Sequence, residues 1–145
     1  MFRGGQPTRV DEKGRLKIPA NFKHEIDEKY GAQFYITSLN GRVAKIYPLE
    51  VWEEIEAKLE KKPDLDPAKR LFLERTNYYG QEVEMDAQGR VLLPGLLRDS
   101  ADLKAEVIVT GSLRYLEVEN KEAYSKRVGR QFTPEDEELL AQLGI

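Results

Sequence analysis

The chain writes one ten-residue pattern twice. Val10-Asp11-Glu12-Lys13-Gly14-Arg15-Leu16-Lys17-Ile18-Pro19 returns as Met85-Asp86-Ala87-Gln88-Gly89-Arg90-Val91-Leu92-Leu93-Pro94, an offset of 75 residues. Both copies read apolar, Asp, two residues, Gly, Arg, apolar, any residue, apolar, Pro. Further on, Ile36-Thr37 aligns with Val109-Thr110 at an offset of 73, and Tyr47–Trp52 aligns with Glu119–Tyr124 at 72. The shrinking offset places small deletions in loops, where they are tolerated. A repeat of this kind means one supersecondary unit built twice. At 145 residues the chain is one compact unit or two small halves sharing a core.

Within each copy the local chemistry predicts short strands and one short helix. Asp-x-x-Gly followed by Arg is a tight hairpin, with Asp starting the turn and Gly supplying positive φ. The alternation of Leu16-Lys17-Ile18 has strand period. Proline then stops the strand and opens a helix, from Pro19 to about Tyr30 and from Pro94 to about Ala101. Two more strands follow in each half. Phe34–Leu39 and Arg42–Tyr47 flank Asn40-Gly41, which reads as a two-residue hairpin, and Glu106–Gly111 and Arg114–Val118 flank a Gly-Ser turn. Between the halves, Pro48–Lys62 carries Trp52, Ile55 and Leu59 at helical spacing. Asp66-Pro67 caps a second connecting helix with Ala68, Leu71 and Phe72 as its expected apolar face, and Thr133-Pro134 caps a helix in the tail. The expected organisation is therefore 5–48 for the first half, 49–79 for a helical connection, 80–120 for the second half and 121–145 for a helical tail.

Composition removes much chemistry. There is no cysteine and a single histidine, His24, so thiolate sites and multi-histidine metal sites are excluded and a histidine relay is not expected. His24 has no partner in sequence and reads as a helix-surface residue. Trp52, Tyr78 and Tyr79 read as core or subunit-contact aromatics. No metal or cofactor is expected. Carboxylates are frequent, but no motif distinguishes a pair, so an acid-pair hydrolase is unsupported and no enzyme is expected. No apolar run reaches about 18 residues and no apolar stretch follows Arg3, so neither a membrane span nor a signal peptide is read, and a cytoplasmic, nucleoid-associated location is expected.

Charge is distributed rather than absent. The whole chain carries a net −3, which by itself argues against a nucleic-acid partner. Residues 1–24, however, hold six cations against two acids, whereas the equivalent window 76–99 holds two against four. The Asp–Arg pair belongs to both halves, as a fold requirement would. The surrounding cations belong to the first half, as a binding face would. DNA contact is therefore expected from Arg3, Lys13, Arg15 and Lys17, with Arg3 on a Gly-flanked flexible arm. Asp11, Gly14, Asp86, Gly89 and Arg90 are expected to fix the turns. For Arg15 three roles stay open: closing the hairpin through Asp11, gripping phosphate or guanine, or both, with Asp11 holding the rotamer that DNA needs. An exposed pair contributes only about 0–1 kcal/mol, a poor reason to build it twice.

Two Asp-x-x-Gly-Arg motifs about 75 residues apart, behind Met-Phe-Arg-Gly, resemble the MraZ family of SpoVT/AbrB-like bacterial regulators. Tyr47-Pro48-Leu49-Glu50-x-Trp52 and Leu92-Leu93-Pro94-x-x-Leu97-Arg98 extend the likeness over most of residues 1–124. The resemblance implies an α+β fold of tandem swapped-hairpin AbrB-like halves, forming a double-split β-barrel with flanking helices. It also implies a ring-like homo-oligomer and a sequence-specific repressor on short promoter repeats upstream of the division and cell-wall gene cluster. Glu119 departs from the pattern, standing where a large apolar residue is expected. The other readings that stay open are an AbrB-like antitoxin acting through its C-terminal segment, and a protein-interaction module that binds no DNA.

Overall fold

The computed structural model describes residues 1–145, and its elements follow the repeat. The first half contributes β1 (Gly5–Val10), β2 (Arg15–Lys17), α1 (Ala20–Lys29), β3 (Gln33–Thr37), β4 (Ala44–Pro48) and α2 (Leu49–Glu60). After α3 (Pro67–Tyr78), the second half contributes β5 (Gln81–Glu84), β6 (Arg90–Leu92), α4 (Gly95–Ser100), β7 (Ala105–Gly111), β8 (Leu116–Asn120) and α5 (Lys121–Arg127). The tail ends in α6 (Pro134–Gln142).

The two halves interleave. All eight strands form one antiparallel sheet in the order β5-β3-β4-β8-β7-β1-β2-β6. Strand β1 pairs over six residues with β7 of the other half, from Gly5↔Thr110 to Val10↔Ala105, and β5 reciprocates by pairing with β3. Exchanging the halves maps this order onto itself, with β2·β6 at one side of a pseudo-two-fold axis and β4·β8 at the other. The Asp86–Arg90 turn joins β6 back to β5, so the sheet is a nearly closed barrel. This is the expected α+β double-split barrel, in which each half completes the other's sheet. Near-closure removes the free edges that an open eight-stranded sheet would expose.

Burial explains the alternation in sequence. Leu16, Ile18, Ile36, Ile46, Val91, Leu93, Val107, Val109, Leu116 and Val118 line the barrel interior, and Phe22, Ile26, Leu97 and Leu103 close its ends. A smaller cluster of Tyr47, Val51 and Trp52 lies under α2, with Trp52 stacked on Tyr35 at 4.6 Å and on Phe72 at 6.0 Å. Helix α2 buries only its first turn, while Ile55 and Leu59 are half-buried as the helix leaves the barrel.

Several expectations change in detail. Asn40-Gly41 is not a two-residue hairpin, because β3 ends at Thr37 and β4 starts at Ala44. The six-residue loop between them has its own polar chemistry. Ser38 Oγ donates to the Val43 carbonyl at 2.6 Å and accepts from Gly41 N, while Asn40 Oδ1 accepts from Arg42 N and Val43 N. Side-chain acceptors for these backbone donors make the wider loop as well satisfied as a tight turn. The contacting face of α3 is also rotated from expectation: Ala68 and Leu71 are exposed, while Phe72 and Thr76 face the barrel. The Thr76 carbonyl accepts from both Tyr35 Oη (2.9 Å) and Thr37 Oγ1 (2.7 Å), and these bonds set the rotation.

Glu119 is a buried carboxylate rather than an apolar residue, only 6% exposed, and it satisfies its charge with Arg127 of α5 in a forked pair at 2.6 and 3.0 Å. Helix α5 is the shorter copy of α2, capped by Asn120 Oδ1 on Ala123 N.

Candidate nucleic-acid interface

Each Asp-x-x-Gly-Arg segment folds by its own side chains. In the first copy Asp11 Oδ1 accepts from Lys13 N at 3.0 Å and Arg15 N at 2.9 Å, and Gly14 takes φ +84°. Arg15 Nε then donates to Asp11 Oδ2 at 2.8 Å. The second copy repeats this within about 0.1 Å: Asp86 Oδ1 accepts from Gln88 N and Arg90 N at 2.9 Å, Gly89 takes φ +76°, and Arg90 Nε donates to Asp86 Oδ2 at 2.9 Å. The backbone N–H of Arg15, seconded by its guanidinium, holds the Asp11 carboxyl below its usual range, and Arg90 does the same for Asp86.

The use of Nε has a geometric consequence. In both arginines the carboxylate engages the inner nitrogen alone, and Nη1 and Nη2 have no protein acceptor. Each Asp therefore fixes an arginine rotamer and leaves its terminal fork free. A free, pre-oriented fork is the geometry that grips phosphate, or guanine O6 and N7, in bidentate fashion. Asp and Arg here act as one device, with the turn as its frame.

The fold then sets the two devices side by side. Strands β2 and β6 pair antiparallel with Arg15↔Leu92, Leu16↔Val91 and Lys17↔Arg90. Leu16 and Val91 point into the core, so Arg15, Lys17, Arg90 and Leu92 share the outer face. The halves clasp one another across this ribbon: Ile18 N donates to Gly89 O and Leu93 N to Gly14 O, both at 2.9 Å. Arg98 Nη1 donates to the Lys13 carbonyl at 3.2 Å, and Lys17 Nζ donates to the Gln88 carbonyl.

A cationic groove runs beside the ribbon, lined by Arg9, Arg15, Lys17, Arg90, Arg98 and Lys104, with Asp11, Glu12 and Asp99 among them. The cations of this groove come from both halves. Arg90, Arg98 and Lys104 of the second half stand with Arg9, Arg15 and Lys17 of the first. The meeting of Arg98 and Lys104 with the first-half cations is invisible in a linear comparison of windows, because the contact between halves is made by the fold. Arg98, next to the buried Leu97 and three residues before the buried Ala101 that caps α4, carries no local signal of its own. Its only sequence clue was the repeat, which equates it with Lys23.

Of the other expected contacts, Lys13 sits exposed in the turn and does not line the groove, though its carbonyl accepts from the groove's Arg98. Arg3 lies elsewhere. Its arm is pinned rather than flexible: Phe2 is buried at 1% exposure, bridges to Leu113 through a 2.7 Å bond from its own N–H, and Gly111 N donates to Gly4 O at 2.8 Å. Arg3 is thereby held at the end of β1 opposite the Asp11 turn. His24 is a surface residue paired with Glu28 at 3.1 Å. No group of three or more metal-ligating side chains converges, and no helix is long and apolar enough to cross a membrane.

An interleaved barrel whose two turn-borne arginines open onto one cationic ribbon defines a tandem AbrB-like protein. Comparison with known proteins makes the assignment specific. The family described as "MraZ protein, putative antitoxin-like" matches residues 1–75 and 80–140. The "Transcriptional regulator MraZ" of Acidobacterium capsulatum is 59% identical over the full length of both chains, and that of Koribacter versatilis is 54% identical, again over both full lengths. The protein of the same description from Shewanella oneidensis is 35% identical over 96% of this chain and 93% of its own. The chain belongs to the MraZ family.

Proposed function

We propose that this chain is a DNA-binding transcriptional regulator that reads duplex DNA with the β2–β6 ribbon. The relatives' description as transcriptional regulators supports the class. The observation that carries the contact face is the pair of arginine forks, each fixed through Nε and free at Nη1 and Nη2. A two-stranded ribbon fits the major groove, where arginine is the commonest partner of guanine. In this reading Arg15 and Arg90 read bases or adjacent phosphates, while Lys13, Lys17, Arg98 and Lys104 supply charge.

The acidic bulk of the chain makes a lone subunit a weak binder, since a few phosphate contacts give non-specific Kd values of about 10⁻⁴–10⁻⁶ M at physiological salt. We therefore infer a ring-like homo-oligomer on repeated promoter sites, where linking identical heads raises affinity by about 10²–10⁴. Repression of the adjacent division and cell-wall genes is the regulatory outcome proposed. The test is a binding titration with DNA from upstream of the protein's own gene, carrying one repeat or several, over a salt series. Affinity should fall steeply with salt and rise from one repeat to several, and sedimentation should show a species well above 16.7 kDa. A folded protein that ignores this DNA at every salt concentration, or a monomer that binds one repeat as tightly as three, refutes the proposal. The first of these results would leave the interaction-module or antitoxin reading.

A further inference from the structure

The outer face of the β2–β6 ribbon has four corners, and the pseudo-two-fold exchanges them in pairs. Arg15 exchanges with Arg90, and Lys17 exchanges with Leu92. Three corners are cations and the fourth is a leucine. Leu92 is 49% exposed and lies directly across from Arg15 on the neighbouring strand. Four residues later, in the first turn of α4, Leu96 is 55% exposed where the first copy has Asn21. A scattered surface leucine needs no explanation. A leucine replacing the lysine of an otherwise repeated cationic face, directly across from Arg15, is a different matter. It forgoes a phosphate contact at the point where the other copy has a cation.

We infer that Leu92 is a base-reading residue that packs on the C5 methyl of a thymine beside the base or phosphate held by Arg15. The inference rests on the DNA-binding reading above. In the major groove the thymine methyl is the one apolar group on a base edge, and apolar side chains recognise it by contact. Arg15 and Leu92 share one cross-strand pair, so their Cβ atoms are about 4.5–5.5 Å apart. That spacing lets one side chain grip a polar edge while the other meets an adjacent methyl. The cations around Leu92 hold DNA against it, which gives this apolar corner its occupant.

The test exchanges thymine for uracil in the upstream duplex, which removes the methyl and keeps the pairing edge. The unmodified protein should bind the uracil duplex at least about fourfold more weakly, the value of one buried methyl-sized group. Leu92→Ala should bind the thymine duplex more weakly and no longer distinguish the two. Leu92→Lys, which copies Lys17, should also lose the distinction and steepen the salt dependence by about one unit. Thermal melting checks that both variants are folded, which their half-exposed site permits. Equal binding of both duplexes by the unmodified protein overturns the inference and leaves the DNA-binding reading intact. An undiminished thymine preference in Leu92→Ala overturns it as well, and a changed subunit number with that preference intact would assign the patch to contact between copies instead. Absence of binding to either duplex overturns the DNA-binding reading and this inference with it.

Discussion

Replacing Arg90 by Ala separates a face shared by both halves from a face confined to the first. The structural loss is small. Arg90 keeps 25% of its side chain exposed, and its pair with Asp86 at 2.9 Å is a surface pair. Such a pair contributes about 0–1 kcal/mol. At this chain length 1 kcal/mol moves Tm by roughly 2–4 °C. The Asp86 turn survives the change, because its carboxylate still accepts from Gln88 N and the backbone N–H at position 90. The binding loss is larger. Removing a bidentate base contact costs about 1–3 kcal/mol, or roughly 5- to 150-fold in Kd. Arg15→Ala should show a similar pattern, since the two turns superpose in their hydrogen bonds. Fluorescence anisotropy against the upstream duplex measures Kd, and differential scanning calorimetry measures Tm. A folded Arg90→Ala protein with lowered Tm and unchanged Kd would refute the shared face and make Arg90 a turn residue alone.

Four other outcomes are expected. Gly14→Ala should weaken DNA binding and lower stability by more than about 1 kcal/mol, since its φ is +84° and the new Cβ would fall 1.3 Å from Arg98 Nη1, displacing a groove cation; Gly89→Ala carries the same backbone strain at φ +76° but meets the Lys23 stem at 2.9 Å and Lys17 Nζ only at 3.7 Å, and should cost less. The pKa values of Asp11 and Asp86 are depressed in the folded state, so their stabilising effect is complete above the unfolded value and lost as pH falls through the folded one. Carbon-13 carboxyl titration should place both midpoints below 3.8, and a midpoint above that for either would contradict the hydrogen-bond geometry. Arg127→Ala should destabilise the fold by about 3 kcal/mol by leaving the buried Glu119 carboxylate unpaired, whereas Glu119→Leu should be nearly neutral; equal losses in chemical denaturation would argue against burial as the cause. Leu97→Ala, at 0% exposure, should cost about 2–5 kcal/mol by the same measurement, and a loss below 1 kcal/mol would mean that α4 does not close the barrel.

Much of this protein is local chemistry, and local chemistry is legible in sequence. The two hairpins follow from Asp, Gly and Arg alone, because the aspartate accepts from backbone donors two and four residues away. The helices after Pro19, Pro48, Asp66 and Pro94 begin where proline and capping residues place them, and period-2 alternation put Leu16, Ile18, Val91 and Leu93 inside. What failed locally did so through competition with side chains. Ser38 and Asn40 offered backbone donors better partners than a two-residue turn, and hydroxyl bonds to the Thr76 carbonyl rotated α3 away from its apparent apolar face. The resemblance to a family supplied the swapped barrel, which no single window of the chain encodes.

The site itself was only half legible. Charge counting by windows separated Arg15 from Arg90, and the fold put them on one ribbon by pairing β2 with β6 across 75 residues. It likewise set Arg3 at the far end of β1 from the Asp11 turn by burying Phe2 and hydrogen-bonding the arm to Gly111 and Leu113. The physical reason is common to both. A turn is decided by atoms within four or five residues, so its chemistry is written in order along the chain. A strand's neighbour is decided by which apolar face covers which, and that choice belongs to the whole barrel.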